Sequence, residues 1–105
     1  MTRWAPGGIR LGVLVPFTNT NLESDLIGMC PPNCSLHFQR IGGYEPDAIP
    51  DSNQMIQLGQ FDLHHDLEMI AGARPNAILY ACTSATLTHG PSFDRDLAIK
   101  IEAEF

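Results

Sequence analysis

At 105 residues the chain has the size of one domain with a modest core, and we take residues 1–105 as a single unit. Its net charge is −6, with five arginines and one lysine scattered along it. No basic face can be assembled from them, which excludes a nucleic-acid partner. No apolar run approaches a membrane span, and "MTRWAPGG" lacks the apolar stretch of a secretory signal.

In chain order, "IRLGVLV" (Ile9 to Val15) is nearly continuous in apolar character, as a strand covered on both faces should be. Pro16 ends it. "TNLE" has capping-box spacing, so Thr20 is expected to take the Glu23 amide at the start of a short helix running to about Met29. "CPPNC" breaks that helix. Its two cysteines, with Cys82, make three, an odd number that suits a reducing cytoplasm better than a disulfide framework. A zinc site would need two further ligands at suitable spacing, and no second pair exists; Cys30 and Cys34 read as turn and core residues.

"SLHFQRI" (Ser35 to Ile41) alternates and reads as a second strand, followed by a proline-marked loop. From about Ser52 to Ala73 a helix is expected, because Ile56, Leu63 and Ile70 repeat at one face with Met55 and Leu67. His64, His65 and Asp66 resemble a metal cluster, but adjacent helical residues point about 100° apart and cannot converge on one ion. Pro75 stops the helix by disfavouring helical geometry at Arg74. "NAILYA" (Asn76 to Ala81) is the third strand, and "PSFDRDLAIKIEAEF" opens the last helix.

Strands alternating with helices imply an α/β domain with a parallel sheet and right-handed crossovers. In the order 2-1-3 the first and third strands are neighbours. Their trailing loops, "PFTNTN" and "CTSATLTHG", then meet where open sheets of this kind bind ligands.

Cys82 sits where the third strand gives way to a loop. Amides of Thr83, Ser84 and Ala85 could form a donor array there, and the following helix adds a positive dipole end. Such surroundings favour the thiolate; an apolar pocket would make the same residue an inert hydrophobe. Position alone leaves both open. Asn19 is either a substrate donor or a turn asparagine, and Thr83 and Ser84 are either loop hydroxyls or donors. Thr20 and Glu23 read as cap residues, and His89 as a loop residue with a base as the alternative. No glycine-rich nucleotide loop occurs.

Two motifs together resemble the aspartate/glutamate racemase superfamily, closest to its maleate cis-trans isomerase and arylmalonate decarboxylase branch. Those enzymes carry a P-S-S-N-T-T-x-E-P-E type segment after the first strand. Here "PFTNTNLESD" matches it at Pro16, Asn19, Thr20 and Glu23 and departs at Phe17, Asn21 and Ser24. Their second signature, an apolar strand running into A-C-T-S, is intact as Ala81, Cys82, Thr83 and Ser84. The second strand with its terminal Arg40 is also similar, so the resemblance runs from about Arg10 onward.

The resemblance implies a three-layer α/β sandwich whose parallel sheet is a flavodoxin-like half of the racemase fold. It implies a cofactor-free cytoplasmic enzyme acting on a small carboxylate or dicarboxylate. Cys82 would be catalytic. Pro16, Asn19, Thr20, Thr83 and Ser84 would line the substrate site. Arylmalonate decarboxylases lack a cysteine at the Cys82 position, so Cys82 favours isomerase or racemase chemistry. Phe17 stands where the family has a small polar residue beside its carboxylate pocket.

Family chains have a second, pseudo-symmetric half bearing a second cysteine, and this chain corresponds to the N-terminal half. The expectation is therefore a fragment, or a homo-oligomer, a two-fold dimer in the simplest case. The alternative to an enzyme is a non-catalytic half-domain that binds a small carboxylate or associates with a partner chain.

Overall fold

The computed structural model describes residues 8–42, 63–82, 87 and 89–104. They form an α/β arrangement of three parallel strands and three helices: β1 (Ile9–Pro16), α1 (Thr20–Met29), β2 (Cys34–Ile41), α2 (His64–Ala71), β3 (Ala77–Tyr80) and α3 (Phe93–Glu104). The alternation of elements implies a parallel sheet, and its order is β2-β1-β3, which sets the first and third strands side by side. Of the long helix expected from Ser52, the stretch 51–62 lies outside the described residues. The described part begins at His64, with Leu63 as its N-cap residue.

β1 is the central strand. Val13, Leu14 and Val15 have no exposed surface, while Ile9 at its start is 56% exposed. Burial therefore deepens toward the carboxyl end, where the two neighbouring strands flank it. Leu14 pairs with Gln39 of β2 on one side and Tyr80 of β3 on the other.

Because side chains alternate along a strand, Gly12, Leu14, Gln39, Ile78 and Tyr80 share one face. On this face lies α2: Gln39 donates to the Asp66 carboxylate at 2.9 Å, and Leu63, Leu67 and Ile70 join Leu14, Ile41 and Cys82 in one buried cluster. Leu97 and Ile101 of α3 and Ile78 and Tyr80 of β3 pack against it. Arg40, on the opposite face, pairs instead with Glu23 of α1. Among the described residues no helix is long and apolar enough to cross a membrane.

The His64, His65 and Asp66 run of α2 behaves as helical geometry requires. Its members diverge: His64 Nε2 meets Glu68 Oε1 one turn on, at 2.9 Å, while Asp66 turns to Gln39. After α2 the chain reverses through Arg74, whose φ of 52° lies in the left-handed region. That conformation is consistent with the bias against right-handed helical geometry before Pro75. It lets the Arg74 carbonyl accept from Arg10 Nε at 2.8 Å, while the Arg10 amide donates to Asn76 Oδ1 at 2.7 Å. The start of β1 is thus fastened to the entrance of β3.

At Gly12, α2 and Pro75 approach the sheet closely. A Cβ there would lie 2.8 Å from Ile70 Cγ1 and 3.3 Å from Pro75 Cβ. Gly12→Val is therefore expected to destabilise the fold by about 1–3 kcal/mol through overpacking. Urea denaturation checks it, and an unchanged midpoint would mean that α2 can move away at no cost.

Candidate functional site

The carboxyl ends of β1 and β3 lie side by side. The pairing continues past β3, since the Ala81 amide donates to the Leu14 carbonyl at 2.9 Å. Carrying the register of Leu14 with Tyr80 forward by two positions sets Cys82 level with Pro16. The two loops singled out by sequence therefore leave the sheet at one end, where strand order reverses.

Pro16 is buried and pairs with Ile41 across to β2. Its carbonyl accepts the Asn19 amide at 2.9 Å, closing a turn over Phe17 and Thr18. Asn19, not Thr20, caps α1: its Oδ1 accepts from the Leu22 amide at 3.1 Å. The capping box expected from Thr20 and Glu23 does not form, because Glu23 faces Arg40. Thr20 is the exposed first residue of the helix. Capping also orients Asn19. With Oδ1 committed to the helix, the exposed Asn19 side chain has its Nδ2 donors left to offer a further partner.

Arg40 holds this loop in place. It donates to the Phe17 carbonyl from Nη1 at 2.9 Å and to Glu23 Oε1 from Nη2. One guanidinium thus joins the end of β2, the turn after β1 and the first turn of α1. Its partnership was hidden from a linear reading, because it depends on the register that sets Val15 opposite Arg40.

Cys82 is 8% exposed and belongs to the buried cluster with Leu14 and Ile41. Its surroundings lean toward the apolar alternative left open by sequence, although its backbone stands at the carboxyl end of the sheet, level with Pro16. Thr83 and Ser84 lie outside the described residues. His89 stacks on Phe93 with ring centroids 4.6 Å apart, and Phe93 meets Tyr80 edge-on at 6.0 Å. His89 is thereby part of an aromatic group next to the strand end.

Tyr80 is the residue that sequence reasoning missed. Its hydroxyl is buried and has no hydrogen-bond partner among the described residues, at a cleft of about 210 Å³ between β3 and α3 that Ile78, Leu97 and Ile101 also line. Burial first, and the neighbouring Cys82 second, push its pKa up to about 12. The available signal was its place in the pattern: two positions before Cys82, on the inward face.

Because the fold favours the neutral phenol, its contribution is fully present below pH 10, the ordinary tyrosine value, and is lost as pH rises toward 12. Partial exposure reduces this to about 1 kcal/mol. Tyr80→Phe is expected to raise stability at neutral pH by about 1 kcal/mol, since it removes a buried donor without a partner. It should also flatten the alkaline decline. Thermal melts of both proteins in reductant test this, and a lower melting temperature for the variant would show that the hydroxyl does have a partner.

No family model, curated protein or solved structure matches the chain.

Proposed function

We propose that the chain is a cofactor-independent isomerase or racemase of small carboxylic acids, acting through the Cys82 thiolate. On this reading its sheet is the flavodoxin-like half of a three-layer sandwich. The observation that carries the proposal is the adjacency of the β1 and β3 ends, with Cys82 level with Pro16 and an Asn19 amide fixed by its cap. Asn19 Nδ2 would donate to a substrate carboxylate, and the backbone after Cys82 would receive the other end of a dicarboxylate.

Two reactions fit these groups. As a racemase, the thiolate would take an α-proton while an opposed thiol returns one to the other face. As an isomerase, it would add to an alkene carbon of a maleate-like acid, the electron pair moving toward the conjugated carboxylate. Rotation about the new single bond and expulsion of the thiolate would then give the trans isomer. The first route needs two thiols, the second from a sister half or a second copy paired about a two-fold axis. The second route needs one.

Burial of Cys82 and exposure of Ile27, Met29 and Leu79 favour a second reading. The domain would then be a non-catalytic half that binds a small carboxylate and covers its apolar surface by association. Turnover assays with maleate and both enantiomers of aspartate and glutamate, run beside thermal shift with the same acids, separate the two. Turnover supports the enzyme. Stabilisation without turnover supports the binding half-domain, and neither effect would remove both. Light scattering tests the association, since a strict monomer would exclude the paired form.

A further inference from the structure

The turn between α1 and β2 carries two cysteines that the proposed reaction does not use. Cys30 closes α1 as its C-cap in an extended conformation, and its amide donates to the Ile27 carbonyl at 3.3 Å. The Cys34 amide then donates to the Pro31 carbonyl at 3.1 Å, folding Pro32 and Asn33 into a turn that brings Cys34 back to Cys30. The Cys30 thiol donates to the Cys34 carbonyl oxygen at 3.2 Å and lies close enough to the Cys34 thiol for the two to influence each other's ionisation. Both cysteines are free and half-buried, not core residues as the sequence suggests. Two consecutive prolines have their φ fixed by their rings, so the turn holds the thiols together with little freedom left to lose.

We propose that Cys30 and Cys34 are a redox-modification site, a dithiol oxidised reversibly to an internal disulfide by exchange with a low-molecular-weight disulfide. One thiolate attacks a sulfur of the reagent, breaking its S–S bond and releasing one thiol while a mixed disulfide forms on the protein. The second thiolate attacks the protein sulfur of that mixed disulfide, releasing the other thiol and forming the Cys30–Cys34 bond. Two electrons and two protons pass to the reagent, which leaves as two thiols.

The bridge would join the last turn of α1 to the first residue of β2. That is the opposite end of the sheet from Cys82, because Cys34 pairs with Ile9 while Ile41 pairs with Pro16. Desolvation, then the Cys34 thiol, holds the Cys30 thiol above its ordinary pKa, so exchange through it should be slow at neutral pH and quicken with alkalinity.

The test treats the full folded chain with oxidised glutathione and follows intact mass and peptide maps. The mass is expected to fall by two hydrogens, with Cys30 joined to Cys34 in the digest and reversal by dithiothreitol. The rate should rise about tenfold per pH unit while the thiols remain mostly protonated. Cys30→Ser and Cys34→Ser should each stop at one glutathione on the remaining cysteine of the turn, because no neighbouring thiol is left to resolve it and Cys82 lies at the other end of the sheet. Glutathione held on either wild-type cysteine without an internal bridge, a bridge involving Cys82, or no reaction at all would overturn the proposal. None of these outcomes depends on whether Cys82 is catalytic.

Discussion

Leu14→Ala is expected to lower the unfolding free energy by about 2–5 kcal/mol. Leu14 has no exposed surface and lies in the central strand, packed in the cluster that contains Ile41, Leu63, Leu67, Ile70 and Cys82. Truncation removes apolar contacts on that face and leaves a cavity bounded by two strands and α2. The backbone there cannot collapse inward, because β1 is paired along both edges. A domain of this size has on the order of 5–15 kcal/mol to lose, so the variant should be partly unfolded near physiological temperature. Urea denaturation should show a lower midpoint with an unchanged slope. Leu14→Met, which nearly conserves volume, should cost less than about 1.5 kcal/mol. Equal losses for the two variants would mean that shape, not cavity formation, governs the site.

If the proposed thiolate mechanism operates, Cys82→Ser is expected to reduce turnover of the carboxylic acid by at least about 10³-fold, or roughly 4 kcal/mol of barrier. A serine hydroxyl yields almost no alkoxide near neutral pH, so it is a far weaker nucleophile than a thiolate. The substitution also sets a hydroxyl in a mostly apolar pocket, which costs about 1–3 kcal/mol if it finds no partner. Loss of activity must therefore be read on protein shown to be folded. Cys82→Ala gives the control, since it removes the proposed nucleophile and introduces no polar group. Both variants should be folded and inactive while still gaining thermal stability from the ligand. Undiminished turnover in folded Cys82→Ser would sink the thiolate mechanism outright.

The architecture was legible because it rests on local periodicity. Leu63, Leu67 and Ile70 share a helical face by their spacing alone, and the alternation of strands and helices implied a parallel sheet, though not the β2-β1-β3 order within it. The cap of α1 was not legible. Asn19 and Thr20 are both good N-cap residues, and Thr20 with Glu23 had the better local pattern. What decided between them was Arg40, which engages Glu23 from another strand. The site divides in the same way. Chain order carried Pro16 and Cys82 to one end of the sheet, whereas the direction of the Cys82 side chain depended on α2 packing over that face. Tyr80 was missed because an unsatisfied hydroxyl becomes visible only once its neighbours are placed.

The pairing of β1 also orders events as the chain is made. Leu14 reaches β2 through a short connection, but Arg10 meets Asn76 at a separation of 66 positions. While the polypeptide emerges from the ribosome, the β1–β2 pair can close early, and the other edge of β1 waits until β3 has been synthesised. During that interval its central segment presents unpaired amides and carbonyls beside Val13 and Leu14, a template for any passing extended strand. The segment that later positions the site is thus the one most in need of shelter during biosynthesis.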